Sequence, residues 1–116
     1  MKDPRIQTLA DILVGYATRL KAGEKLLVED RGLNHELVCA IVNKAYQVGG
    51  MPAVQLYDAR VDRALLQGYT AEHLDWLAEL DARRMSDCDC YIAIRGGDNA
   101  FETADVPDAQ KKLYAV

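Results

Sequence analysis

The sequence predicts an α/β fold in three layers, with a small, mostly parallel sheet of about three strands flanked by helices. Three observations predict it. Short strand-like runs at Lys25–Glu29, Ala53–Tyr57 and Cys90–Ile94 are separated by segments whose apolar residues recur at helical spacing. The first of these runs is continuously apolar between turn signals, as in a strand covered on both faces. Strands that alternate with helices join by right-handed crossovers into a parallel sheet.

Taken in order, Asp3 caps free backbone amides and Pro4 suits a first helical position, so a helix starts there. Ile6, Leu9, Leu13, Tyr16, Ala17 and Leu20 give it one apolar face over about 4–20, and Lys21-Ala22-Gly23 ends it. After the first strand, the loop Asp30-Arg31-Gly32-Leu33-Asn34 places Asn34 as N-cap of a helix carrying Leu37, Val38, Ile41, Val42 and Ala45, which stops at Gly49-Gly50. Pro52 leads into the second strand, a position a strand tolerates. Asp58 then caps a short helix bearing Val61, Leu65 and Leu66. Thr70 opens a longer one with a Leu74, Leu77, Leu80, Arg84 stripe and Trp76 at its edge. The third strand leads into Arg95-Gly96-Gly97-Asp98-Asn99, and a last helix is expected from Pro107 through Leu113 and Tyr114.

A chain of 116 residues and 12.9 kDa is one domain, residues 1–116. With 50% hydrophobic and 28% charged residues it is a globular composition, which excludes the disordered and collagen-like classes. The longest unbroken apolar stretch is Leu37–Val42, far short of the ~20 residues of a membrane span. The amino terminus lacks the features of a secretion signal, so the expected location is cytoplasmic and no membrane partner is expected. A net charge of −4 and a pI near 5.1 argue against nucleic acid as a partner. Cys39, Cys88 and Cys90 are read as thiols, Cys39 as inert packing.

No residues form a self-contained active site. His35 and His73 stand far apart on polar segments, and Cys88 and Cys90 have no second pair to complete a metal site, so no metal ligands are assigned. Asp58, Asp62, Glu79, Asp81, Asp87 and Asp89 read as capping and surface charges. The turn after the first strand holds one glycine and the acidic pair Glu29-Asp30, which is no dinucleotide fingerprint. That pair evokes a phosphoacceptor site, but a helix precedes the strand and the third strand ends without an acceptor aspartate. The best ligand edge is Gly96, Gly97, Asp98 and Asn99, at a strand's carboxyl end where glycines permit close backbone approach; a plain tight turn explains them too.

The stretches Met1–Ile6, Leu20–Glu29, Ala45–Gly50 and Met85–Asn99, with Asp105-Val106-Pro107 and Lys112-Leu113-Tyr114, carry a resemblance in order and spacing. On these the chain resembles the amino-terminal region of the thermophilic aminopeptidase family, the aminopeptidase T and aminopeptidase S type of dinuclear metallo-exopeptidases. The resemblance implies an enzyme that releases amino-terminal residues from peptides with two divalent ions, cobalt, zinc or magnesium. It also implies a homodimer, with metal ligands and catalytic groups in a later domain beyond these 116 residues, so that no catalytic residue and no metal ligand falls on this chain. The expectation is an amino-terminal domain, inactive alone. The alternatives are a module binding a small anion near Gly96 to Asn99, or a structural oligomerisation domain.

Overall fold

The computed structural model describes residues 3–95 and 112–115. Helix α1 (Pro4–Asp11) runs into a π-helical segment (Ile12–Ala17), followed by β1 (Lys25–Asp30), α2 (His35–Gln47), β2 (Met51–Leu56), α3 (Ala59–Leu66), α4 (Ala71–Asp87), β3 (Cys90–Ile94) and β4 (Lys112–Ala115). The strands lie in the order β2-β1-β3-β4, and every pair is parallel. The chain leaves β1 toward β2 through α2 and returns past β1 to β3 through α3 and α4. Right-handed crossovers in opposite directions place α2 and α4 on opposite faces, giving the three layers.

The two faces show this directly. Leu26, Val28, Cys90, Ile92 and Ile94 pack against Ala10, Leu13, Val14 and the buried side of α2, Leu37, Val38, Ile41 and Ala45. On the other face Leu27, Tyr91, Ala93 and Cys88 meet Met85 of α4. β1 and β3 are buried almost throughout, as inner strands of a parallel sheet require.

The caps predicted at Asp3, Asp58 and Thr70 form, each side chain accepting a backbone N–H of the following helix. Asn34 sits at the N-cap of α2 without a side-chain capping bond there; its amide serves Asp30 instead.

Four expectations need correction. The helix expected to include Leu113 and Tyr114 is the strand β4, paired with β3 from Cys90↔Lys112 to Ala93↔Ala115; its start at Pro107 lies outside the described residues. Four residues are too few for periodicity to decide, and β3 offers backbone partners along its free side.

The single apolar face drawn through Tyr16 is also wrong: Tyr16 is 71% exposed while Leu13 and Val14 are both sealed. The i→i−5 bond from Thr18 N–H to the Leu13 carbonyl (3.1 Å) marks the wider turn that slips the register. Thr18 itself is buried, its hydroxyl donating to the Val14 carbonyl at 3.1 Å.

Cys39, expected as packing, is exposed. It lies a turn's fraction away from the buried Leu37, Val38, Ile41 and Ala45 side of α2.

Pro52 stands inside β2 rather than ahead of it. The amides of Met51 and Tyr57 donate to the Glu24 and Asp30 carbonyls of the β1 segment. By alternation the odd-numbered amides of β2 face β1, and position 52 faces away, where a missing N–H breaks no ladder bond.

Candidate functional site

The carboxyl ends of β1, β2 and β3 gather the polar side chains of the domain. The sheet reverses its winding between β1 and β3, so this edge is where ligands dock in open α/β folds.

Glu29 and Asp30 end β1 and point to opposite faces, as neighbours on a strand do. Asp30 is 1% exposed and fully used by its own turn. Its carboxylate accepts the Gly32 N–H at 2.9 Å, the Asn34 N–H at 2.7 Å and the Asn34 side-chain amide at 3.1 Å. Those bonds hold Leu33 at a φ of 59°, a left-handed backbone that a leucine seldom adopts.

Glu29, also buried, lies between two phenols: Tyr91 donates to Oε1, and Tyr57 donates to Oε2 at 3.1 Å. Register makes this possible, since Glu29 is level with Ala93 on β3 and with Gln55 on β2, and each tyrosine is two residues away on the same face. Burial, then the Glu29 charge and hydrogen bond, raises Tyr57 above the ordinary phenol range. Burial and the bond to Glu29 raise Tyr91 further. Both phenols therefore remain donors at neutral pH. Arg31 stacks over the Tyr57 ring at 3.7 Å and comes within 3.8 Å of Asp62, while Arg84 of α4 reaches across to Gln55 at 2.9 Å.

Beside this cluster a cleft of about 390 Å³ opens between Asp30, Leu33, His35, Leu56, Val61 and Leu65. Its size is that of a small-molecule pocket. Asp58 at its rim is held below the usual carboxylate range by the Arg60 side chain.

Among the described residues every buried side-chain nitrogen and oxygen has a hydrogen-bond partner, and no three His, Cys, Asp or Glu side chains converge as metal ligands. His35 is exposed at the start of α2, and His73 stacks with Trp76 and meets Tyr69 edge-on. Cys88 and Cys90 sit in separate apolar clusters on opposite faces of the sheet. These donors do not fit a pair of divalent ions. Gly96, Gly97, Asp98 and Asn99 lie outside the described residues; β3, which leads to them, ends at Ile94, whose carbonyl accepts the Arg31 N–H at 2.9 Å.

The Glu29–Tyr57–Tyr91 cluster escapes sequence reading because only the register brings it together. One signal was present: a carboxylate inside an apolar strand needs partners.

Fold and edge together define a three-layer α/β arrangement with a hydrogen-bonded carboxyl edge and, among the described residues, no cluster of metal ligands. The profile of the thermophilic metalloprotease (M29) family matches residues 2–114, and the chain belongs to that family. Its family is thus one of metallopeptidases. A solved structure, wild-type AmpT from Thermus thermophilus, is similar at 25% identity and a TM-score of 0.64, over 85% of this chain and 26% of that one. The chain therefore spans about a quarter of the length of that protein. No curated protein matches it. Among the described residues no helix is long and apolar enough to cross a membrane.

Proposed function

We propose that this chain is the amino-terminal α/β domain of a cytoplasmic, homodimeric metal-dependent aminopeptidase that releases amino-terminal residues from peptides. The observation that carries the reading is the match to the M29 family along residues 2–114. In this reading the two divalent ions, cobalt, zinc or magnesium, and their ligands belong to the remaining length of the enzyme, and this domain helps to shape the chamber around them. The purified 116-residue chain is then expected to leave leucine p-nitroanilide intact with added cobalt. Hydrolysis that copurified with it would overturn the assignment of catalysis to other residues. An antibody raised against the chain should detect, in extracts of the source cells, a band several times heavier than 12.9 kDa. A sole band at 12.9 kDa would count against the reading.

A further inference from the structure

We propose that the guanidinium groups of Arg31 and Arg95, side by side at the tips of β1 and β3, form a binding site for an oxyanion, a carboxylate or a phosphate group. The inference rests on the carboxyl edge of the sheet and is independent of the peptidase reading.

Parallel register brings the two arginines together. Asp30 is level with Ile94, and the Arg31 N–H donates to the Ile94 carbonyl at 2.9 Å, so the residues that follow, Arg31 and Arg95, are neighbours across the strand tips. Adjacent strands lie only about 4.8 Å apart. By alternation both side chains belong to the face of Tyr91 and Ala93, under α4. Arg31 is found there, its guanidinium over the Tyr57 ring at 3.7 Å. The charge of Arg95 reaches the Tyr91 phenol on the same face, opposing the rise of its pKa.

Two like charges at adjacent positions repel, and no carboxylate is bonded between them among the described residues. Asp62 comes only within 3.8 Å of Arg31, beyond hydrogen-bond length, and both side chains are about half exposed. Arg5, Arg60 and Arg84, by contrast, each donate directly to an aspartate. Glu29, the carboxylate on the same face, spends both oxygens on the phenols of Tyr91 and Tyr57. Arg84, paired with Asp81, reaches in from α4 to Gln55 and adds a third positive charge nearby. The place itself is the point between β1 and β3 where the winding of the sheet reverses, and ligands of open α/β sheets dock there. A guanidinium is a planar fork whose donors match the paired oxygens of a carboxylate or phosphate. An anion held by both forks also removes the repulsion between them.

Inorganic phosphate and acetate are the probes, titrated separately into the 116-residue chain at constant ionic strength while the arginine Nε–Hε signals are followed by NMR. The Arg31 and Arg95 signals should shift together and saturate below about 20 mM with at least one probe, and the tighter probe names the source of the oxyanion. Arg31→Gln and Arg95→Gln should each weaken that binding by about tenfold or more while the far-ultraviolet spectrum stays in place. Arg60→Gln, at an exposed arginine already paired with Asp58, should leave it unchanged. Shifts that grow linearly with both probes, or that persist when Arg31→Gln and Arg95→Gln are combined, would overturn the proposal. So would an equal weakening by Arg60→Gln, since the anions would then be screening surface charge without a site.

Discussion

At the residue scale, the acidic pair closing β1 shows how burial assigns roles that composition leaves open. Asp30 fastens the loop into α2, and Glu29 collects two phenols from neighbouring strands. Truncating the more buried donor, Tyr91→Phe, is expected to cost about 1–2 kcal/mol in urea unfolding at neutral pH. Tyr57→Phe, at a half-buried position, should cost less. Because the native state holds the Tyr91 proton above the unfolded phenol range, this stabilisation is complete below a pH of about 10 and is lost as the pH rises further. Urea midpoints should therefore fall above that pH, and fall less steeply in Tyr91→Phe. Leu33 makes the opposite case: exposed and held at a φ of 59°, it gains nothing from its side chain. Leu33→Gly removes a left-handed penalty of about 1–2 kcal/mol against a smaller entropic loss, so a neutral to slightly raised urea midpoint is expected. The pair Glu29-Asp30 was visible in the sequence, but its function was not. Tyr57 and Tyr91 are 28 and 62 residues away from Glu29, and only the register of three strands brings them to it.

At the element scale, what could be read was what depends on local chemistry. The strand β3 and the caps at Asp3, Asp58 and Thr70 follow from residue type and spacing, and the structure contains them. The elements that went astray depend on neighbours. β4 is a strand because β3 pairs with it, and the wide turn at Ile12–Ala17 exists because both Leu13 and Val14 reach the sheet. The close of α2 ties these regions together: Gly49 has a φ of +87°, and a Cβ at Gly50 would meet Leu20 Cδ2 at 2.5 Å and Cγ at 3.1 Å. Leu20 is buried and cannot swing into solvent without leaving the core. Gly50→Ala is therefore expected to destabilise by about 1–3 kcal/mol through overpacking. Adding Leu20→Ala should recover part of the steric loss while opening a cavity, so the two substitutions should be non-additive in a double-mutant cycle.

At the scale of the whole molecule, the core is lopsided. The face under α1 and α2 is sealed, while α3 and α4 contribute no buried residue, and Leu66, Trp76 and Leu80 stand open to solvent. Among the described residues the packing that holds the chain runs through β1 and β3, and no cluster of metal ligands adds to it. Its stability should accordingly be indifferent to divalent ions. A ligand present at about a thousandfold over its Kd and bound only by the native state adds about 4 kcal/mol, several degrees in melting temperature for a chain this size. Neither His35 and His73, on separate helices, nor Cys88 and Cys90, on opposite sides of the sheet, offer such a site. Cobalt, zinc or magnesium at millimolar concentration should leave the calorimetric melting temperature of the 116-residue chain within about a degree of its value in chelator. A rise of several degrees would show that this domain holds an ion itself, and the division of labour that assigns the metals to the rest of the enzyme would have to be abandoned.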